Sequence, residues 1–314
     1  MRNLFLAVLC PLLLVMCAPS NGASDGVPVP LADPFILYED GTYYLYGTHS
    51  PDGIAVMLSE DLEHWHNAGD TLLLALNKKD AYAPVRFWAP EVYHIGDKYY
   101  MYHSNDEHIC VAVGDSPTGP FKTVGKRPMR EEKGIDNTLY IDDDGTPYIF
   151  WVRFDHANVI WMAELEKDLV TIKEDTKHFC FRAEQDWEKA MGSINEGPFI
   201  LKHKGVYYLT YSGNHTQSQM YGIGYATSRS ITGPWVKYDG NPILQCPEGL
   251  VGTGHHSFFK DRKGHDRIVF HSHLSAEQYT PRVTNISKYR FVKDKNGGDD
   301  ILVIDKDYTK LTIQ

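Results

Sequence analysis

The segment Gly205-Val206-Tyr207-Tyr208-Leu209-Thr210-Tyr211-Ser212 decides the fold, because it is one of five. A glycine turn leading into an aromatic strand also occurs as Gly41-Thr42-Tyr43-Tyr44-Leu45-Tyr46 and Gly96-Asp97-Lys98-Tyr99-Tyr100-Met101-Tyr102. It returns as Gly145-Thr146-Pro147-Tyr148-Ile149-Phe150-Trp151 and Gly264-His265-Asp266-Arg267-Ile268-Val269-Phe270. The five glycines are 55, 49, 60 and 59 residues apart. An apolar strand precedes each turn, such as Phe35-Ile36-Leu37-Tyr38 or Phe199-Ile200-Leu201. A third strand follows, such as Ile54-Ala55-Val56-Met57 or Ile223-Gly224-Tyr225-Ala226. A fourth often ends at an aromatic: Trp65, Phe121 or Trp235. Glycine turns between such strands signal hairpins. Four strands recurring every 50 to 60 residues or so read as propeller blades. The sequence therefore predicts an all-β, five-bladed β-propeller over residues 27–314. Its blades are four-stranded and antiparallel, and its active site lies at one mouth of the central channel. The paired tyrosines are expected to pack sheet on sheet, with alternate ones facing the channel.

Composition agrees. The chain has 314 residues, 42% hydrophobic and 12% aromatic, including 20 Tyr. That is ample for a core and too apolar for a disordered chain. A formal net charge of -10 argues against nucleic acid or an anionic membrane as partner. Five Cys are too few for a disulfide scaffold. At the start, Arg2 precedes an apolar run over residues 4–16 that is too short to span a bilayer. Residues 1–24 are read as an export signal. Cys17, after Leu14-Val15-Met16, is a candidate lipid-anchor cysteine. The protein is expected outside the cytoplasm: periplasmic, at the cell surface through Cys17, or secreted. No later apolar run is long enough for a transmembrane segment. The 15 His show no zinc-type spacing, and no phosphate-binding glycine loop is present, so no organic cofactor is expected.

Counting back from the repeat glycines gives a second regularity. Asp33 and Trp88 lie 8 residues before theirs, and Asp136, Glu196 and His255 lie 9 before theirs. The first strand of a propeller blade lines the channel, so these five residues should ring one mouth. Three carboxylates near one axis repel one another and raise at least one pKa. One carboxyl kept protonated beside one kept ionised is the arrangement for glycoside hydrolysis. Trp88 would offer a stacking surface for a sugar ring.

The motifs around these residues resemble those of glycoside hydrolase family 43, five-bladed propellers acting on arabinose- and xylose-containing glycans. The resemblance spans essentially the whole mature chain. Ala32-Asp33-Pro34-Phe35 resembles the first-blade motif, which implies that Asp33 is the general base. Ile135-Asp136-Asn137-Thr138-Leu139-Tyr140 resembles the third-blade motif, implying that Asp136 orients the acid and tunes its pKa. Glu196-Gly197-Pro198-Phe199 resembles the fourth-blade motif, implying that Glu196 is the general acid. Phe87-Trp88-Ala89-Pro90-Glu91 resembles the second-blade motif, whose Trp flanks the sugar. Gly254-His255-His256-Ser257 resembles the fifth-blade motif, where many members place a His near an axial calcium. His255 is thereby a candidate calcium ligand, and His256 a candidate substrate contact. Arg282 resembles the late Arg that contacts substrate and the acid.

The resemblance implies an inverting glycosidase that releases terminal pentosyl units, with exo-α-L-arabinofuranosidase as the leading expectation. β-Xylosidase, β-galactofuranosidase, exo-galactanase and endo-arabinanase are alternatives within the family. The expected partner is an arabinose-, xylose- or galactose-containing oligo- or polysaccharide, and the expected state a monomer. A sugar-binding propeller without catalysis is the alternative of another class, but a lectin needs no general acid. Fructan-cleaving propellers would carry an Asn-Asp-Pro-Asn-like first motif where this chain has Ala32-Asp33-Pro34-Phe35. Sialidases would need several substrate-facing Arg.

Overall fold

The computed structural model describes residues 26–314. The export signal over 1–24 and Cys17 lie outside the described residues. The only helices among the described residues are four single 3-10 turns of three residues each, none able to cross a membrane.

The fold is an all-β propeller with four-stranded antiparallel blades. Four such blades begin at the strands Phe87–Ile95, Gly134–Ile141, Asn195–His203 and Gly254–Lys260. The sheet that begins at Ala32–Glu39 departs from the prediction, because it has seven strands. Its third strand, Gly53–Ser59, pairs with both His64–Asn67 and Leu73–Asn77. Thr312–Ile313, from the chain's end, adds in parallel to His64–Asn67, and Val27–Pro28 pairs with Thr312–Ile313. These end strands cover an edge that would otherwise expose unpaired backbone groups. The first strands pack side by side in chain order, and Gly254–Lys260 packs against Ala32–Glu39.

The five repeat glycines occupy the turns between first and second strands. All have φ between 66 and 86, which a glycine adopts without strain. The core lies between neighbouring sheets, and this corrects the reading of the tyrosines. Tyr43 packs with Trp65 and Val269 on one side of its sheet, whereas Tyr44 packs with Val92 and Met101 on the other. Tyr207 and Tyr208 divide in the same way between Phe150 and Phe270. Successive strand residues point to opposite faces. A Tyr-Tyr pair therefore serves both sheet–sheet interfaces, and neither ring is left for the channel.

Candidate active site

Each first strand begins with a β-bulge. In the first sheet Ala32 pairs with Thr48 and Phe35 with Tyr46, so Asp33 and Pro34 face one residue. Equivalent shifts follow Trp88, Ile135, Glu196 and Gly254. The bulged residues are Asp33, Ala89, Asp136, Gly197 and His255, with φ of 49, 47, 57, 55 and 44. Four non-glycine residues in the left-handed region are costly, on the order of 1–3 kcal/mol each, and such strain gathers at functional sites. The fixed sequence offset therefore needs correction. Asp33, Asp136 and His255 are structurally equivalent, but Trp88 and Glu196 stand one residue earlier. A one-residue difference in a strand reverses the side chain's direction, so Glu196 enters the mouth differently from the two aspartates.

The bulge amides are tied from sheet to sheet. Thr48 Oγ1 accepts the Ala89 N–H at 3.0 Å, Ser104 Oγ that of Asp136 at 2.8 Å, and Ser212 Oγ that of His255 at 2.7 Å. His271 Nδ1 accepts the Asp33 N–H at 3.1 Å. All four acceptors pair with the residue just before a bulge, each on the preceding sheet. In the third sheet that position is Val152, which has no hydroxyl. There the Gly197 N–H donates instead to Asp136 Oδ2, at 3.1 Å.

This brings the three carboxyls together. His255 Nδ1 is 3.4 Å from Asp33 Oδ1 and 3.9 Å from Asp136 Oδ2. Asp136 in turn holds the amide next to Glu196. A side chain at Gly197 would meet the His255 ring at 3.3 Å, in a conformation that already favours glycine.

The environments separate the carboxyls chemically. Asp33 accepts from Arg282 Nη1 at 2.8 Å and from Thr48 Oγ1 at 2.6 Å. Burial raises its pKa, but the Arg282 guanidinium and the His255 and His271 rings together outweigh burial and hold it well below the usual carboxylate range. Because Nδ1 of His271 accepts the Asp33 amide proton, that imidazole is neutral, and burial pushes its pKa down to about 3. Glu196 has neutral partners: Tyr221 OH donates to Oε1 at 2.8 Å and Asn158 Nδ2 to Oε2 at 3.0 Å. Burial pushes its carboxyl up to about 7, and the negative charge of Asp33 adds to the rise. Asp136 is raised well above its usual range by burial and by the charges of Glu196 and Asp33.

Arg282, expected beside the acid, directs its hydrogen bonds to Asp33 and Thr216, because the ionised Asp33 is the stronger partner. Trp88 is half-buried at the register of Glu196, opposite Ser104. His256 does not reach the mouth. It is buried between sheets, with Nε2 2.8 Å from Thr210 Oγ1 and its ring against Phe258, because the bulge turns it away from His255. The surroundings of His255 do not make a calcium site by themselves. Calcium takes six to eight oxygen ligands or so, and among the described residues no group of three His, Cys, Asp or Glu is placed to hold an ion.

Sequence reasoning missed Thr48, Asn158, Tyr221 and His271. Thr48 and His271 follow the aromatic strands at a constant pairing position, so the repeat could have located them. Asn158 and Tyr221 stand in ordinary turn-to-strand segments with no local signal.

Comparison with known proteins bears directly on this arrangement. The model for glycosyl hydrolases family 43 matches residues 27–296. The chain belongs to this family. As a family 43 member it is a glycoside hydrolase. A crystal structure described as an endo-1,4-beta-xylanase from Bacteroides thetaiotaomicron VPI-5482 is 43% identical, with a TM-score of 0.85. That match covers 91% of this chain and 98% of the other. The beta-D-galactofuranosidase xynD of Aspergillus niger is 28% identical over 62% of this chain and 56% of its own. The extracellular endo-alpha-(1->5)-L-arabinanase 1 of Bacillus subtilis is 26% identical over 79% of this chain and 80% of its own. The family 43 chain thus spans little more than half of the Aspergillus enzyme's length and most of the Bacillus enzyme's.

Proposed function

We propose that this family 43 protein is an inverting glycosidase that releases terminal α-L-arabinofuranosyl units. Asp33 is the general base, Glu196 the general acid, and Asp136 the group that orients and tunes the acid. The observation that carries this reading is the separation of two carboxyls at one mouth, Asp33 held ionised by Arg282 and Glu196 raised to about 7. Asp33 takes a proton from the water that attacks the anomeric carbon. Glu196 gives its proton to the leaving oxygen on the opposite face. Inversion leaves room for that water when the carboxyls stand roughly 6.5–9.5 Å apart. Asp136, accepting the Gly197 amide, fixes the backbone next to Glu196, while burial and the charge of Asp33 keep the acid protonated. Trp88 flanks the sugar, and Arg282 keeps the base charged.

A second reading is cleavage of xylosyl bonds, favoured by the 43% identity to the structure described as a xylanase. Further parts of the proposal are that the seven-stranded sheet closes the ring as a fifth blade, and that the protein is exported, as the extracellular arabinanase relative is by name. A panel of aryl glycosides and of arabinose-, xylose- and galactose-rich polysaccharides, followed by NMR of the first anomer released, tests the function. Inverted L-arabinose is expected. Released xylose selects the second reading, and a retained anomer overturns the mechanism.

A further inference from the structure

The third and fourth sheets bury an ion pair that the proposed mechanism does not use. Lys237 Nζ lies 2.5 Å from Glu188 Oε1, with the Glu188 side chain fully buried and that of Lys237 8% exposed. Phe181, from the third sheet, and Tyr211, from the fourth, hold their rings 4.9 Å from Nζ. Every ammonium proton has an acceptor: Glu188 Oε1, the Arg182 carbonyl at 2.7 Å and Asn195 Oδ1 at 2.9 Å. Glu188 also accepts from the Tyr211 hydroxyl at 2.6 Å, from the Glu184 and Gln185 amides at 2.7 Å each, and from Asn195 Nδ2 at 3.1 Å. The carboxamide of Asn195 is therefore gripped at both ends, its oxygen by the cation and its nitrogen by the anion. Asn195 is the residue before Glu196. Strand neighbours point to opposite faces, so Asn195 enters the interface between the sheets while Glu196 enters the mouth. The turn that carries Glu188 supports a partner of the acid as well. Glu188 O accepts the Ile194 N–H at 3.5 Å, and Ser193 O accepts that of Asn158, whose side chain donates to Glu196 Oε2.

Apolar side chains of like size in place of a buried ion pair are commonly as stabilising, so stability alone does not account for this one. Its directed bonds do what an apolar core cannot, which is to fix one orientation of one residue. We propose that Lys237 and Glu188 are positioning residues for the acid. They act through Asn195 to hold the start of the strand from which Glu196 reaches the leaving oxygen. Asp136 grips the Gly197 amide on one side of Glu196, and the ion pair grips Asn195 on the other. The inference rests on the reading of Glu196 as the general acid. An acid slightly out of place leaves substrate binding intact but transfers its proton poorly. The pair therefore acts on kcat, and only where the leaving group needs the proton.

The test is Asn195→Leu, a change of similar size, assayed on aryl α-L-arabinofuranosides and aryl β-D-xylosides whose phenols are graded in pKa. The ion pair survives this change, since Glu188 and Lys237 keep their bonds to each other, to Tyr211 and to the Arg182 carbonyl. On the phenyl glycoside kcat should fall about thirtyfold, and on the 2,4-dinitrophenyl glycoside, which leaves without a proton, by no more than about twofold. KM and the urea midpoint should stay near wild type. Lys237→Met should give the same steepened dependence, about tenfold across the series. Its stem still fits over Phe181 and Tyr211, and Glu188 keeps the Tyr211, Asn195, Glu184 and Gln185 donors, while Asn195 Oδ1 loses its own. If Lys237→Met fails to fold, Asn195→Leu decides alone. Equal losses across the series, or a lower urea midpoint with an unchanged dependence, overturn the positioning role alone. A Glu196→Ala loss independent of the phenol's pKa overturns the reading of the acid, and the inference with it.

Discussion

Asp33 and Glu196 open two first strands of one propeller, yet they have become different acids. Asp33 occupies a strained bulge, with a guanidinium at 2.8 Å and a hydroxyl at 2.6 Å. Glu196 lies one position before its bulge, with a phenol at 2.8 Å and a carboxamide at 3.0 Å. No ion pair to Glu196 forms among the described residues, whereas Asp33 has Arg282. Both lose water, which favours the neutral form, but only Asp33 gains a full positive charge in exchange. The proposed division into base and acid follows environment and not residue type.

The largest expected effects come from deleting each side. Asp33→Ala should lower kcat/KM by about 10⁴, at the upper end of general-base contributions. Because water must be activated for every substrate, the loss should be the same for good and poor leaving groups. Glu196→Ala should cost about 10³ on oligosaccharides and far less on aryl glycosides whose phenols leave without protonation. A Glu196→Ala loss independent of leaving-group pKa would break the contrast between the two carboxyls.

The pH profile sharpens the comparison. Asp33, held low, stays ionised into strongly acidic solution, and Glu196 stays protonated below about pH 7. The kcat/KM of the wild type should therefore persist on the acid side and fall as pH rises through 7. Arg282→Met removes the charge that holds Asp33 down. The acid limb should move toward neutrality, with a loss of roughly 10–100-fold at pH 5 and a smaller one at pH 7. Tyr221→Phe removes a donor that favours ionised Glu196, so the alkaline limb should move upward by up to about one unit. The accompanying fall in kcat should be only a few-fold. If Arg282→Met moves the alkaline limb and Tyr221→Phe the acid one, the partners have been assigned to the wrong carboxyls.

Much of this was legible in the sequence because it repeats. The Gly-Tyr-Tyr segments gave the strands, and their spacing placed Asp33, Asp136 and Glu196 at the starts of first strands. The offset could not distinguish a bulge residue from its neighbour, since the extra residue leaves the count nearly unchanged while reversing the side chain. That is why Glu196 looked equivalent to Asp136; His256 was a candidate only through the motif it shares with His255, and the bulge turns it between sheets. Asn158 and Tyr221 were illegible for another reason. They reach Glu196 from a neighbouring sheet and from a loop, 38 and 25 residues away, and only the folded ring brings them close. The seven-stranded sheet depends on pairing Val27–Pro28 with Thr312–Ile313, far apart in the sequence, which no local pattern encodes.

The smallest expected effect concerns Thr48, whose hydroxyl donates to Asp33 Oδ2 and accepts the Ala89 amide. Thr48→Val creates in the first sheet what Val152 already is in the third. There the freed bulge amide of the next sheet, Gly197, has taken the carboxylate of Asp136 as its acceptor. Asp33 holds the equivalent bulge position, so the freed Ala89 amide should draw the Asp33 carboxylate toward it and away from Arg282. A buried amide left unpaired would cost about 1–3 kcal/mol, whereas capture by Asp33 recovers most of that and costs catalysis instead. The expected result is a roughly twofold fall in kcat/KM with urea stability close to wild type, and recovery in Thr48→Ser, which keeps the hydroxyl. A loss of stability with kcat/KM intact would mean that Asp33 stays with Arg282. In that case the base is held by its charge partner alone, and the bulge geometry that it shares with Asp136 does not decide its role.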